Sequence, residues 1–145
     1  MVFDDENIPL FSKFPQVDQI GIVVKNMEAS IKSYEKMFGP PFLTLESGLN
    51  SGKLKIGLFQ VGDIQFELIE VLEGETVHSK FLKEKGEGLH HIGFIVEDIE
   101  EELSRLEKEG IRVLERGLVQ EMVKFAYLDT EKSLGIILEL IQLAL

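Results

Sequence analysis

Four side chains in this 145-residue sequence join a donor atom to an apolar strand able to aim it: Gln19, Glu67, His91 and Glu139. His91 stands in Gly88-Leu89-His90-His91-Ile92-Gly93-Phe94-Ile95-Val96, a glycine-led apolar run that holds two of the three histidines. Glu139 interrupts Ile136-Ile137-Leu138 and Leu140-Ile141, where a dry, ionised carboxylate costs several kcal/mol or more unless paired or metal-bound. Glu67 is flanked by Phe66 on one side and Leu68-Ile69 on the other. One imidazole, two carboxylates and an amide make a nitrogen and oxygen donor set that suits zinc, nickel, cobalt, manganese or magnesium. The sequence has no cysteine, so thiolate ligands, a thiol nucleophile and a disulfide framework are excluded.

Each residue also has an ordinary reading. A single Glu in a strand commonly faces water on a half-exposed sheet. A single His is as often a hydrogen-bonded core residue. Strand alternation puts His91, Gly93 and Ile95 on one face and His90, Ile92 and Phe94 on the other, so His90 reads as a neighbour rather than a ligand. His78, in a charged helical stretch, reads as solvated. What sets the four apart is their joint placement.

An offset of 72 residues carries Gln19 onto His91 and Glu67 onto Glu139. It also carries Met27, Ile31 and Tyr34 onto Ile99, Leu103 and Leu106, and Glu28, Glu35 and Lys36 onto identical residues. An offset kept over a strand, a helix and a second strand implies duplication of a whole supersecondary unit, with two copies sharing one core.

The elements follow from pattern. Val17 to Lys25 is a β-branched apolar strand, and Asn26 caps a helix carrying Met27, Ile31, Tyr34 and Phe38, which Gly39-Pro40-Pro41 stops. Phe42 to Glu46 is a short strand, Ser47 to Gly52 a loop, and Lys53 to Val61 and Ile64 to Leu72 a hairpin turning at Gly62-Asp63. A connector over 73–88 holds a short helix through Val77, Phe81 and Leu82. The second copy reads Leu89 to Glu97, a helix capped by Asp98 and ended by Gly110, and strands over Ile111 to Val119, Met122 to Leu128 and Leu134 to Leu143. This predicts an α+β protein of two tandem βαβββ modules, residues 17–72 and 89–145, forming a curved, barrel-like mixed sheet with helices outside. Residues 1–16 read as an irregular N-terminal arm.

The formal net charge of −11 opposes phosphate backbones and anionic lipid surfaces, and no basic cluster offsets it, so neither nucleic acid nor membrane is an expected partner. The acidic start, Met1-Val2-Phe3-Asp4-Asp5-Glu6, is unlike a secretory signal, and no apolar stretch is long enough to span a bilayer. The expectation is a cytoplasmic protein acting on a small molecule.

On these residues the sequence resembles the vicinal oxygen chelate superfamily, which includes glyoxalase I, methylmalonyl-CoA epimerase, bleomycin- and fosfomycin-resistance proteins and extradiol dioxygenases. The resemblance spans about residues 17–143. Gly88-Leu89-His90-His91-Ile92, Val96-Glu97-Asp98-Ile99, Phe66-Glu67-Leu68-Ile69-Glu70 and Gly135-Ile136-Ile137-Leu138-Glu139-Leu140 look most like the motifs of methylmalonyl-CoA epimerase. By position, the resemblance implies Gln19, Glu67, His91 and Glu139 as ligands of a divalent metal ion, Glu139 as a proton-transfer residue, an acyl-CoA as substrate and a homodimer.

The match to any one subfamily is incomplete. The epimerases usually carry His where Gln19 stands, whereas Gln, Glu, His, Glu resembles animal-type glyoxalase I. The glutathione-binding Arg and Asn of that enzyme correspond to Glu87 and Val71, which implies no glutathione pocket. Gln19 and Glu67 break the two-His, one-carboxylate triad of a dioxygenase. The second acid of the epimerases corresponds to Lys55, with Glu46, Gln65 or Glu121 as substitutes. The resulting expectation is metal-dependent proton transfer next to a thioester carbonyl, with glyoxalase-type isomerisation or non-catalytic binding of a small molecule as alternatives.

Overall fold

The computed structural model describes residues 16–143, and the expected arm therefore falls almost wholly outside the described residues. The first copy comprises β1 (Val17–Val23), α1 (Met27–Phe38), β2 (Leu43–Gly48), β3 (Gly52–Val61) and β4 (Ile64–Gly74). The connector carries α2 (Val77–Lys85), as its apolar spacing predicts. The second copy comprises β5 (Gly88–Ile95), α3 (Ile99–Lys108), β6 (Val113–Val119), β7 (Val123–Leu128), a short α4 (Glu131–Leu134) and β8 (Ile137–Leu143).

All eight strands form one sheet in the order β2-β3-β4-β1-β5-β8-β7-β6, so the two copies meet at the antiparallel pair β1 and β5. The parallel pairs on either side repeat each other's register: Gly21, Ile22 and Val23 face Glu67, Leu68 and Ile69, and Gly93, Phe94 and Ile95 face Glu139, Leu140 and Ile141. Every one of these positions is displaced by the 72 residues read from the sequence.

Helix starts repeat as well. Asn26 Oδ1 accepts from the Ala29 N–H and Asp98 Oδ1 from the Glu101 N–H, each satisfying a donor that the first helical turn leaves open. Glu70 Oε1 then accepts from the Met27 N–H, and its counterpart Gln142 Oε1 from the Ile99 N–H, pinning each helix to its own fourth strand.

The shared core divides into faces. α1 buries Met27 against Phe59 and Leu68, and α3 buries Ile99, Leu103 and Leu106 against Leu128 and Leu140, so each copy packs its helix on its own strands. On the opposite face, Leu54, Ile56 and Ile69 of the first copy and Phe125 and Tyr127 of the second line the concavity, with Leu49 touching both groups.

The expected boundaries shift where turns intervene. β2 runs to Gly48, leaving a shorter loop, and the expected strand from Leu134 begins only at Ile137. Glu131 to Leu134 instead coil into one helical turn, stopped by Gly135 in the left-handed region at φ 79°. That turn lengthens the last connection. Leu58 faces Glu67 as Tyr127 faces Glu139, so the third strands correspond at an offset of 69 rather than 72. Among the described residues, no helix is long and apolar enough to cross a membrane.

Candidate functional site

The four central strands, β4, β1, β5 and β8, carry Glu67, Gln19, His91 and Glu139 in that order. Two glycines let these side chains converge. Gly21 faces His91 across β1 and β5, and a Cβ there would occupy the space of the imidazole ring. Gly93, its repeat counterpart, faces Gln19, and a Cβ there would lie 2.9 Å from Gln19 Cγ and 3.0 Å from Glu139 Oε1. Each copy's glycine thus forms the floor for the other copy's donor, a close approach that only a residue without a side chain permits.

His91 is fully buried and Glu139 is 5% exposed. His91 Nε2 lies 3.2 Å from Glu139 Oε1 and 3.4 Å from Glu67 Oε1. These are ionic contacts without good hydrogen-bond direction, and Nε2 and the Glu139 Oε1 both lack a hydrogen-bond partner. Burial opposes a charge on His91, but the carboxylates of Glu139 and Glu67 outweigh it and raise its pKa to about 9. Burial raises the pKa of Glu139, and His91 pulls against that rise. Asp18, half-exposed at the rim, is raised by burial and by the nearby charge of Glu67. Two acids against one imidazole, with two buried polar atoms unsatisfied, is an arrangement deficient in positive charge. A divalent cation fits that deficit, and hard oxygen donors with one imidazole fit the metals expected from the sequence.

Gln19, Glu67 and Glu139 line a cavity of about 110 Å³ whose remaining walls are mostly apolar, with Leu54, Ile56 and Leu58 on β3 and Phe125 on β7. The structure brings all four expected donors to this place. None of the candidates for a second acid reaches it. Lys55 is exposed, as is Glu46, which pairs with Lys53 at 3.3 Å. Gln65 sits in register with Gln19 and Gln60 outside the cavity, and Glu121 is exposed in the β6–β7 turn at φ 57°. Across from Glu139, the β2 and β3 wall offers Ser47 as its polar side chain.

Two expectations about the other histidines are corrected. His78 is fully buried rather than solvated, because α2 packs its face against the sheet and the Nε2 atom reaches Tyr127 Oη at 2.9 Å. His90 does not turn to the face opposite His91. Gly21 faces His91 while Ile22 faces Leu89, so His90 is the extra residue of a β-bulge, which breaks the alternation and buries it beside His91. Nitrogen atoms of His78, His90 and His91 lie within 4.8 Å of one another. Burial holds the first two neutral, with pKa values pushed down to about 3 for His78 and about 2 for His90, helped by the His91 charge.

Tyr127 is the site residue that the sequence does not announce. It is buried, it lines the cavity, and burial together with the Glu139 charge holds its hydroxyl protonated. A regular 72-residue offset pairs Tyr127 with exposed Lys55, which hides it; the observed register pairs it with Leu58.

The profile of the Glyoxalase/Bleomycin resistance protein/Dioxygenase superfamily matches residues 18–127. An uncharacterised protein of Bacillus subtilis is 32% identical over 127 residues, covering 86% of this chain and 90% of that one. Among solved structures, methylmalonyl-CoA epimerase of Streptomyces coelicolor in complex with 2-nitronate-propionyl-CoA superposes with a TM-score of 0.75 at 24% identity, covering 89% of this chain and 94% of its own. The methylmalonyl-CoA epimerase of Mycobacterium tuberculosis gives 0.72 at 22% identity, covering 89% and 88%.

Proposed function

Given that the chain belongs to the glyoxalase/bleomycin resistance protein/dioxygenase superfamily, we propose that it is a divalent-metal-dependent isomerase that moves a proton next to a thioester carbonyl. Gln19, Glu67, His91 and Glu139 are the proposed protein ligands of the ion, and an acyl-CoA is the proposed substrate. When bound, the ion supplies Lewis acidity, polarising the carbonyl and stabilising the enolate formed from it. Glu139 removes the proton. Its burial raises its basicity toward the range that a general base needs. Leu54, Ile56 and Phe125 exclude water from the acyl portion and keep the enolate from protonation by solvent.

The observation that carries this reading is the convergence of Glu67 and Glu139 on the unpartnered His91 Nε2 at the base of an apolar cavity. Its test is proton exchange at C2 of methylmalonyl-CoA in deuterated water, with cobalt, nickel, zinc, manganese and magnesium in turn. Exchange that needs a metal is the expected result. No exchange with any of the five, in protein shown to hold metal, leaves sequestration of a small molecule as the better account.

A second reading has one observation in its favour. Inverting a stereocentre calls for proton carriers on both faces of the substrate, and the wall opposite Glu139 is aliphatic apart from Ser47. A single base that takes and returns the proton on one face suits a glyoxalase-type isomerisation between adjacent carbons. Stereochemistry of deuterium incorporation separates the two readings. We further propose a homodimer, supported by exposed Leu43 on edge strand β2 and exposed Leu118 on edge strand β6, with sedimentation velocity as its test.

A further inference from the structure

The bulge that turns His90 inward does more than fill space. His90 Nδ1 lies 2.9 Å from His91 Nδ1, and both rings are buried. Two ring nitrogens approach this closely only when one carries a hydrogen and the other a bare lone pair. Two arrangements satisfy that condition, with opposite consequences at the far side of His91. If His90 donates, a neutral His91 must carry its own hydrogen on Nε2, which then points at Glu67 and Glu139 and blocks an ion. If His90 accepts, His91 keeps a hydrogen on Nδ1 and can give up the one on Nε2 to an arriving ion, its lone pair then facing the two carboxylates. Accepting requires His90 to hold its own hydrogen on Nε2, which faces the backbone of Val77 at the start of α2 in a looser contact.

We propose that His90 is a positioning residue: its Nδ1 accepts from the His91 Nδ1–H, fixing the tautomer and the ring angle that present His91 Nε2 to the metal. The inference rests on the metal site proposed above. His90 is itself held in place by ring contacts with Phe81 at 5.1 Å and His78 at 4.8 Å, both from α2. The connector helix thus reaches His91 through His90 as well as through its own His78. Outer partners of this kind orient metal-bound imidazoles, and losing one costs about 10- to 100-fold in metal affinity.

The test compares His90→Leu, which removes the acceptor, with His90→Gln, which keeps an acceptor oxygen, and with His91→Ala. Zinc affinity is read by chelator competition, with circular dichroism to check the fold. The inference expects His90→Leu to bind zinc about 10- to 100-fold more weakly and His90→Gln to recover most of that loss. His90→Leu binding zinc as tightly as the parent overturns it. If His91→Ala also binds as tightly as the parent, the ligand assignment itself fails, so the two failures are told apart. Should the His90 variants not fold, the parent protein gives a direct readout by nitrogen-15 NMR of its zinc-loaded form. A His90 ring with Nε2 protonated and Nδ1 bare of hydrogen supports the proposal, and the reverse His90 tautomer overturns it.

Discussion

In the first half of the sheet the strand beside Glu67 presents Leu58, whereas in the second half the strand beside Glu139 presents Tyr127, whose hydroxyl meets His78 at 2.9 Å. The same contrast runs through the donors. The first copy supplies an amide and a carboxylate that stays partly exposed, and the second supplies the buried imidazole and the buried carboxylate. The two copies share a backbone, down to the glycine that seats the other copy's side chain, and differ in the chemistry they carry. The second copy holds the proposed base and the polar groups around it; the first holds the aliphatic wall. The difference can be broken experimentally by treating equivalent positions alike and asking for unequal results.

The largest inequality is expected between the two carboxylates. Glu139→Gln should reduce metal-dependent proton exchange by about 10²- to 10⁴-fold, the usual contribution of a general base. Glu67→Gln should act mainly through weaker metal uptake, restored by raising the metal concentration. Equal losses in both variants at saturating metal would place no special role on Glu139.

Next in size is the dependence of stability on pH in the metal-free protein. His78 and His90 have folded pKa values of about 3 and about 2, below the ordinary 6.5. Below pH 6.5 the unfolded chain therefore takes up protons that these rings refuse when folded, and stability falls with falling pH by roughly 1.4 kcal/mol per unit for each ring. His91 has the opposite sign. Its folded pKa of about 9 makes its contribution complete below pH 6.5 and lost as pH rises toward 9. Denaturant unfolding with chelator present should thus show a maximum near pH 6.5, with His91→Gln flattening the alkaline limb most and easing the acid limb to a lesser degree, because the His91 charge helps hold His78 and His90 neutral.

How much of this was legible in the sequence depended on whether period or register carried the information. The repeat, both helix caps, the Gly62-Asp63 hairpin and the strand positions of Gln19, Glu67, His91 and Glu139 follow from local pattern, and the sheet order and register agree with them. Alternation misplaces His90 because it assumes an unbroken ladder, and a bulge is invisible in residue types. Tyr127 was missed because the α4 turn shifts the third strand by residues that no offset in the sequence reveals. A charged helix hides which of its residues faces a sheet, so its pattern gives His78 to solvent; the 0% exposure depends on where α2 lands.

A smaller inequality concerns the two glycines. Gly21→Ala puts a methyl where the rigid His91 ring lies, while Gly93→Ala meets the flexible Gln19 side chain at 2.9 Å. Overpacking costs about 1–3 kcal/mol, and Gly21→Ala should fall at the upper end with loss of metal binding, Gly93→Ala at the lower. Urea midpoints of the two variants give the comparison.

The finest distinction is between Tyr127 and Leu58. Tyr127→Phe removes one oxygen from a sealed interior and leaves His78 Nε2 without its partner, since His78 Nδ1 already has none. An unsatisfied buried donor costs about 1–3 kcal/mol, so the variant should lose stability by that amount with little change in shape. The ring would still pack edge-on to His91 at a centroid distance of 5.0 Å and keep the cavity wall intact. Leu58→Met, at the equivalent position against Glu67, disturbs no polar group and should cost less than about 1.5 kcal/mol, as volume-conserving swaps do. If Tyr127→Phe proves no less stable than Leu58→Met, the hydroxyl is not holding His78, and the polar support attributed to the second copy ends at His90 and His91.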